Sequence, residues 1–582
     1  MVRQHRNPFE FEAANNLSDE EILDYYIDDY NYSRFINTTR NIFLEGARGT
    51  GKTMSLLYNS FRIQYKKAIK ENKEVDYSRI GIYIPCNTPL FHKKEHLLLK
   101  DDFKASLITE HFLVLSIVNS ISNTLSEIKE LDNINSELSD DLKNQIEYLL
   151  GAELMKGVSF FRAMSIFSDK ESTEAQKIIN NQKNDEFYQN TLTFSSLVMP
   201  FLKCIKQIGY LKESHFLLLI DDAHDLNIDQ KKTINSWIAY RDHSQFSFKV
   251  ATAETSPNFI TSTGGMILEG HDFVSVDMLK PYQNKESEFG KLAKKIILKR
   301  LQKYGINQSV SDFFPISPSF KNDIDKAREK VRKDAMKKYD GGSGSQISDH
   351  IAKYTRAEYF KSRPSKANLP PYSGFETIID VSTGVIRNLL DPCYWMYDAE
   401  LSEGDDKVEL IPHKTQQSVL ISRSNKLWER LEGLDKTDVD CSKDQAEQIF
   451  NLFENLMVHF KRRLMSELSE PRTVTFVITS QDKVVMEKIT PLLDIAQKAQ
   501  LLYTRLGKDK RTSKKVTVYV PNRLLLISRG LDPHGQYASA SIKSKDIMAA
   551  AINNKKIPIP KTSSTDETTQ IRLFDSNGEK RI

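Results

Sequence analysis

A glycine-rich segment near the start of the chain, NIFLEGARGTGKTMSLLYNSF, constrains the fold more than any other feature. It carries the spacing G-x-x-x-x-G-K-T between an apolar run and an amphipathic helical pattern. In a strand, loop and helix of this kind, backbone N–H groups surround phosphates, the lysine reaches the β- and γ-phosphates, and the threonine hydroxyl contacts Mg²⁺. The loop therefore predicts binding of ATP with Mg²⁺ by Gly46, Ala47, Arg48, Gly49, Thr50, Gly51, Lys52, Thr53 and Met54.

A second segment, HFLLLIDDAHDL, indicates that the match to the phosphate-loop spacing is not due to chance. Its apolar run from Phe216 to Ile220 indicates a buried central strand, and Asp221 and Asp222 follow at the carboxyl end, where α/β sheets bind ligands. We expect Asp221 to hold Mg²⁺ together with Thr53, and Asp222 to polarise the attacking water. A cap of the following turn is the alternative role for Asp222.

The second acid is aspartate, whose carboxylate lies one methylene closer to the backbone than that of glutamate. A water held by Asp222 is then less well placed for in-line attack, which predicts a slow hydrolase that uses ATP as a conformational switch.

Further apolar runs place these motifs in a doubly wound parallel α/β sheet flanked by helices. We predict an N-terminal helical segment (1–40), a nucleotide-binding core (41–280) and a helical insertion within it at about 100–203. A helical lid (281–402) follows, with a flexible Gly/Ser loop at about 340–349.

The last third contains two helical patterns and two β runs around a basic loop, which predicts a winged helix over 403–560, followed by a disordered tail (561–582). Between Leu501 and Pro560 there are twelve Lys and Arg residues against three acids. Phosphate contacts dominate nucleic-acid affinity, so we expect DNA to contact the loop through Lys508, Lys510, Arg511, Lys514 and Lys515. A solvated hairpin or a protein-docking module is the alternative.

Composition limits the remaining possibilities. The net charge of +4 over 582 residues is nearly neutral, so any nucleic-acid surface has to be local. The four cysteines have no metal-ligand spacing, which favours a reducing compartment without structural zinc. The N-terminus lacks the apolar core of a signal peptide, and no apolar run of about 18 residues is evident. A cytoplasmic protein without membrane contact is expected.

The combination of NPFEFEAANNLSDEEILDYYIDDYN, GARGTGKTM, YIPCN, LLLIDDAHDL, FKVATAE and STGVIRNLL with a terminal winged helix resembles the bacterial branch of the origin-recognition and cell-division-control AAA+ ATPases. The resemblance implies that Lys52 and Thr53 are Walker A residues, that Asp221 and Asp222 are Walker B residues, and that Arg387 is the sensor-2 arginine.

Two further roles in that family have less direct matches here. The sensor-1 residue falls at Glu254 or Thr255, although the family often has asparagine there and a glutamate repels phosphate. The segment TSPNFITSTGGMILEGHDF, in the usual finger position after this strand, contains no arginine, so Arg241 is the candidate for an arginine finger acting on a neighbouring subunit. A cation favoured by the helix dipole is the alternative for Arg241.

These motifs predict an ATP-binding AAA+ switch with slow Mg²⁺-dependent hydrolysis, coupled to homo-oligomerisation and to binding of DNA or a partner. By analogy with similar bacterial chains, we expect a sensor that acts with an effector protein in antiphage defence. The alternatives are a protein-only signalling scaffold and a DNA-remodelling initiator of replication or transposition.

Overall fold

A computed structural model describes the protein in two compact units. The described residues are 7–10, 13–28, 32–86, 102–132, 134, 136–180, 190–240, 244–253, 257–278, 287–339, 344–363, 369–401, 408–437, 441–466, 468, 471–509, 515–535, 538–559, 568–569 and 571–573. The first unit comprises Glu12–Gly46 and Gly51–Met278. The second unit comprises Met1–Phe11, Ala47–Thr50 and Leu279–Ile582.

The first unit contains the predicted parallel sheet. Its strands are β1 (Ile42–Glu45), β2 (Arg79–Pro85), β3 (His215–Asp221), β4 (Phe246–Thr252) and β5 (Val274–Asp277). They lie in the order β2-β3-β4-β1-β5, and every pair is parallel. All seven residues of β3 and of β4 are buried, as the apolar runs predict for strands covered on both faces. The α/β AAA+ fold class is thereby confirmed.

Helices cover this sheet and form the predicted insertion. Those outside the insertion are Ala14–Asn16, Asp19–Tyr25, Tyr32–Ile36, Lys52–Tyr58, Phe61–Lys70, Gly209–Leu211, Ala223–Asp225 and Ile228–Ile238. Those within it are Asp102–Ser126, Lys129–Asp132, Ser136–Leu150, Phe160–Asn180, Phe194–Val198 and Met199–Ile205.

One helix of the insertion is more apolar than the sequence analysis anticipated. Lys104–Ser126 is long and apolar enough to cross a membrane by length and composition, with a mean hydropathy of 1.3. However, 61% of its 18-residue apolar window is buried within the protein, and its side chains join the same hydrophobic core as β3. This packing is that of a core helix.

The second unit is mostly helical. Its helices are Glu288–Lys303, Val310–Phe313, Pro318–Lys338, Gly344–Ser362, Phe375–Val381, Ile386–Glu400, His413–Glu432, Leu434–Thr437, Lys443–Leu464, Lys483–Lys498, Leu524–Ile527 and Ser544–Asn553. The N-terminal residues 7–10 also belong here, because Phe9 is fully buried against Phe313, Phe314 and Tyr397.

The flexible loop predicted at 340–349 is wrong from Gly344 onward, because a helix begins there and continues to Ser362. This helix contacts the helix Pro318–Lys338, which buries Phe320, Ala327, Val331 and Ala335. Packing of an apolar stripe outweighs the low helix propensity of glycine and serine. Residues 340–343 lie outside the described part of the chain.

The C-terminal region forms a mixed sheet. Its strands are β6 (Phe476–Thr479), β7 (Leu502–Asp509), β8 (Lys515–Pro521), β9 (Ser539–Lys543), β10 (Thr568–Thr569) and β11 (Ile571–Leu573), in the order β10-β9-β6-β8-β7-β11. The β7/β8 hairpin matches the two predicted β runs. The parallel β6/β9 pair extends this sheet beyond one hairpin, and the winged-helix assignment stays a prediction.

The segment predicted to be a disordered tail contributes β10 and β11, which are separated only by residue 570. They pair with opposite edges of the sheet, β9 and β7, so those edges lie close together. Pairing with free strand edges is the physical reason why residues 568–569 and 571–573 form strands.

A buried lysine lies in the middle of the parallel sheet. Lys249 on β4 is fully buried, and its Nζ donates to the carbonyl of Thr38 (2.8 Å), to that of Arg40 and to the hydroxyl of Ser247 (3.1 Å). Burial lowers the pKa of Lys249 from 10.5 to about 7. Lys249 therefore holds the backbone that leads into β1.

This pKa predicts a dependence of stability on pH. Between pH 7 and 10.5 the unfolded chain binds a proton at Lys249 that the folded chain does not, so stability rises with pH across this window and is constant below it. We expect the urea-unfolding midpoint of the wild type to rise between pH 7.5 and 9.0 relative to that of Lys249→Met. If the urea-unfolding midpoint changed equally with pH in the two proteins, the prediction would be contradicted.

Candidate nucleotide-binding site

Lys52, the lysine of the predicted phosphate loop, is the first residue of a helix in the first unit. The helix Lys52–Tyr58 follows Gly51, whose φ of +99° lies in the left-handed region that favours glycine. The Lys52 side chain is only 5% exposed, and its Nζ donates to the carbonyl of Gly46 at 2.6 Å. The ammonium group is thus held over the loop by the loop's own backbone. Met54 packs in a small apolar cluster beneath the helix.

Asp221 ends β3 as a fully buried carboxylate. Tyr83 on β2 donates its hydroxyl hydrogen bond to Asp221 Oδ2 at 2.8 Å, whereas Asp221 Oδ1 has no hydrogen-bond partner among the described residues. Burial raises the pKa of Asp221 above its ordinary value, and the hydroxyls of Thr53 and Tyr83 counteract this rise. A buried carboxylate with one oxygen unsatisfied is costly without a cation.

Mg²⁺ fits this arrangement. The Thr53 hydroxyl is near enough to lower the pKa of Asp221, and both predicted metal ligands belong to the first unit. A hard cation prefers carboxylate and hydroxyl oxygens, and it would complete the coordination of the unpaired Asp221 oxygen. When bound, the metal would neutralise phosphate charge.

Asp222 has an unusual backbone. Its φ of +54° lies in the left-handed region, which aspartate tolerates better than longer side chains do. It stands at the start of the short helix Ala223–Asp225 without a side-chain capping bond. The alternative role as a cap therefore has no support in this geometry. The backbone conformation also gives a physical reason for an aspartate, rather than a glutamate, at this position.

The tip of the phosphate loop belongs to the second unit. Within that unit, the backbone N–H of Arg387 donates to the carbonyl of Gly49 at 3.3 Å. Gly49 has a φ of +89°, and a Cβ added there would lie 2.7 Å from Arg387 Cβ and 3.2 Å from Val385 Cγ1. Only glycine fits this close approach. The predicted sensor-2 residue thus directly contacts the predicted phosphate loop.

Three predicted positions cannot be placed. Arg241, Glu254 and Thr255 lie outside the described residues, and their roles as arginine finger and sensor 1 stay predictions. Sequence reasoning missed Tyr83, which is hydrogen-bonded to Asp221. The available signal was a hydroxyl-bearing side chain within the largely apolar run GIYIP, two positions before Pro85, which pairs with Asp221.

The predicted DNA-binding surface is smaller than the charge count suggested. Arg505 and Arg523 are buried, and Arg529 is paired with Glu454. Five lysines in this region are exposed: Lys515, Lys543, Lys545, Lys555 and Lys556. Lys510, Arg511 and Lys514 lie outside the described residues, as does the side chain of Lys508. Two of the twelve cations therefore lie in the interior of the fold, and a third is held in an ion pair.

The chain matches the ORC-CDC6-like family model over residues 7–335 and 309–542, which together span most of its length. It belongs to the ORC-CDC6-like family. Curated proteins show no significant match. Among solved structures, the Aeropyrum pernix ORC1 protein in complex with DNA is similar, with 9% sequence identity and a TM-score of 0.30, over 90% of this chain and 96% of that chain. ORC-CDC6-like proteins are AAA+ ATPases that generally bind ATP with Mg²⁺, and the resemblance found in the sequence is confirmed.

Tyr83→Phe should weaken Mg²⁺ binding, because Asp221 loses a hydrogen bond that stabilises its ionised form. We expect the Mg²⁺ concentration for half-maximal ATP hydrolysis to rise about tenfold, as is typical when a supporting hydrogen bond to a metal ligand is removed. Tyr77→Phe is the matched control, since the buried Tyr77 hydroxyl has no hydrogen-bond partner among the described residues. Identical Mg²⁺ curves for both variants would contradict this role.

Asp222→Asn should separate ATP binding from hydrolysis. Asparagine tolerates the left-handed backbone but cannot accept a proton from water. We expect hydrolysis to fall about 100-fold or more, with ATP affinity changed little. Fluorescent nucleotide titration and single-turnover hydrolysis measure the two quantities. A variant that hydrolyses ATP at the wild-type rate would exclude Asp222 as the group that polarises water.

Proposed function

We propose that this ORC-CDC6-like protein is an ATP-binding switch that hydrolyses ATP slowly and couples its nucleotide state to DNA binding. The observation that carries the proposal is the Asp221 carboxylate, which is fully buried and whose Oδ1 has no hydrogen-bond partner among the described residues. A cation at the carboxyl edge of the sheet, where the phosphate loop begins, would stabilise its ionised form. A Mg²⁺ ion carried by ATP supplies that cation.

Each site residue has a role in this proposal. Lys52 binds the β- and γ-phosphates, Asp221 and Thr53 hold Mg²⁺, and Asp222 orients the attacking water. Arg387 senses the γ-phosphate from the lid. Glu254 or Thr255 at sensor 1, and Arg241 as a finger from a neighbouring subunit, complete the site in an oligomer.

DNA is the proposed partner because the exposed positive charge of the C-terminal region is concentrated on lysines. Lys515 is the first residue of β8 and is exposed, and the sequence just before it is basic. Between positions 508 and 515 there are five cations, Lys508, Lys510, Arg511, Lys514 and Lys515, against the single acid Asp509. Such an excess of positive charge is suited to phosphate contacts of low sequence specificity.

The biological setting we propose is a cytoplasmic sensor in bacterial antiphage defence, in which the ATP-bound form activates an effector protein. Slow hydrolysis suits a sensor, because it gives a long-lived active state after the trigger has been met. This part of the proposal rests on analogy with similar bacterial chains.

The first test is ATP hydrolysis by the full-length protein with and without duplex DNA. We expect slow basal turnover that DNA stimulates, and no turnover for Lys52→Ala. Replacing Lys514 and Lys515 by alanine should weaken DNA binding and reduce the slope of log K against log salt by up to about 2, at about 0.9 per lost phosphate contact. The matched control replaces the exposed neighbours Lys555 and Lys556.

The outcomes distinguish the alternatives. Hydrolysis that DNA does not change would favour a protein-docking scaffold. If both double variants lost DNA binding equally, the electrostatic attraction of DNA would be spread over the C-terminal region and not concentrated in the hairpin. Absence of both ATP binding and hydrolysis in the wild type would overturn the proposed function.

A further inference from the structure

The turn that precedes Arg387 is strained. Thr383 joins the helices Phe375–Val381 and Ile386–Glu400, and it has a φ of +59° with a fully buried side chain. A β-branched residue rarely adopts a left-handed backbone, because its second γ-substituent clashes with the chain. Such strain persists only where surrounding contacts enforce it, and it concentrates at functional sites.

Two arginines of the β7/β8 hairpin enforce this conformation. Arg505 on β7 donates from Nη2 to the carbonyl of Thr383 at 3.3 Å. The backbone N–H of Arg523, two residues after β8, donates to Thr383 Oγ1 at 3.0 Å. Arg523 is itself fixed, because its guanidinium donates to the carbonyls of Pro533 (2.7 Å) and His534 (2.8 Å).

The same hairpin strand also contacts the residue that follows Arg387. Asn388 donates from Nδ2 to the hydroxyl of Tyr503 at 2.9 Å. Tyr503 and Arg505 are two residues apart on β7, so their side chains lie on one face of the strand, and both are buried. Arg387 is therefore bracketed by hairpin contacts, at Thr383 before it and at Asn388 after it.

The other neighbour of Arg387 is the phosphate loop. Its backbone donates to Gly49, and the approach is too close for any Cβ at that position. Gly49, Thr383, Arg387, Asn388, Tyr503 and Arg505 all belong to the second unit. A continuous series of contacts thus runs from β7 through the strained turn to the loop.

We propose that Tyr503 and Arg505 are positioning residues that hold Arg387 against the phosphate loop, so that the β7/β8 hairpin controls ATP hydrolysis. This inference rests on the proposed function, since it assigns the regulation of that same site. DNA bound at Lys515, the exposed first residue of β8, would act through β7, because β7 pairs with β8 and carries Tyr503 and Arg505. The strained turn at Thr383 can then adopt two conformations. The hairpin contacts hold it in the strained conformation, and it relaxes when those contacts are lost.

The test compares Tyr503→Phe with the control Tyr519→Phe in the full-length protein. Tyr519 lies on the neighbouring strand β8, and its ring stacks on Phe476 at 5.1 Å. We expect Tyr503→Phe to lower kcat for ATP about tenfold, because small displacements of a group that contacts the transition state have large effects on rate. KM for ATP and Tm should change little, and Tyr519→Phe should match the wild type.

A second comparison tests whether Tyr503 acts through Arg387. In an Arg387→Ala background, Tyr503→Phe should have no further effect on kcat, whereas independent effects would multiply. The ratio of hydrolysis with DNA to hydrolysis without it should fall towards one in Tyr503→Phe. Asn388→Ala should reproduce these effects, and the double variant should be no slower than either single variant.

The results separate this inference from the proposed function. If the wild type hydrolyses ATP and Tyr503→Phe behaves like Tyr519→Phe, the positioning role is overturned and the proposed function stands. Multiplicative losses in the Arg387→Ala background would also overturn it, because they would show a general structural role. If the wild type neither binds nor hydrolyses ATP, the proposed function fails first.

Discussion

The buried parallel sheet of the first unit imposes the constraint on which the rest of the structure depends. β3 and β4 are covered on both faces, so polar groups within them need partners inside the protein. Lys249 meets this requirement with backbone carbonyls and the Ser247 hydroxyl. Asp221 meets it only in part, because its Oδ1 has no hydrogen-bond partner among the described residues. The unsatisfied carboxylate oxygen therefore lies at the carboxyl edge of the sheet, where the phosphate loop begins and where a bound metal ion would complete its coordination.

The same requirement, that buried charges have partners, applies in the second unit, where two arginines pair with a buried aspartate. Asp532 is almost fully buried, and although burial opposes its ionisation, Arg356 and Arg472 hold its pKa well below the ordinary value. Arg356 contacts Asp532 at 2.6 Å and Arg472 at 3.3 Å. Removal of one partner would leave an uncompensated buried charge, which is strongly destabilising. This cluster joins the helix Gly344–Ser362 to the C-terminal region.

Sequence reasoning was most successful where the signal is local. The phosphate loop, the buried acid strand and the β7/β8 hairpin each lie within a short window, and the spacing of a few residues determines them. It failed at Gly344, where glycine and serine suggested a flexible loop but the next residues form a helix packed on Pro318–Lys338. It also overestimated the free positive charge, because Arg505 and Arg523 have the same sequence appearance as the exposed lysines. In each failure, the deciding contact lies outside the short window on which the sequence prediction was based.

By itself, the sequence determined the fold class and indicated the residues of the phosphate loop and the acid strand. Apolar runs and fixed motif spacings depend only on neighbouring residues, so they can be recognised from the sequence without knowledge of the fold. Only the tertiary structure decided that Tyr83 supports Asp221, that Thr383 is strained and that Tyr503 and Arg505 bracket Arg387. These partners are separated by 138 residues for Tyr83 and Asp221, 115 for Asn388 and Tyr503, and 122 for Thr383 and Arg505. No local pattern encodes such pairs, because chain folding alone brings them within hydrogen-bond distance.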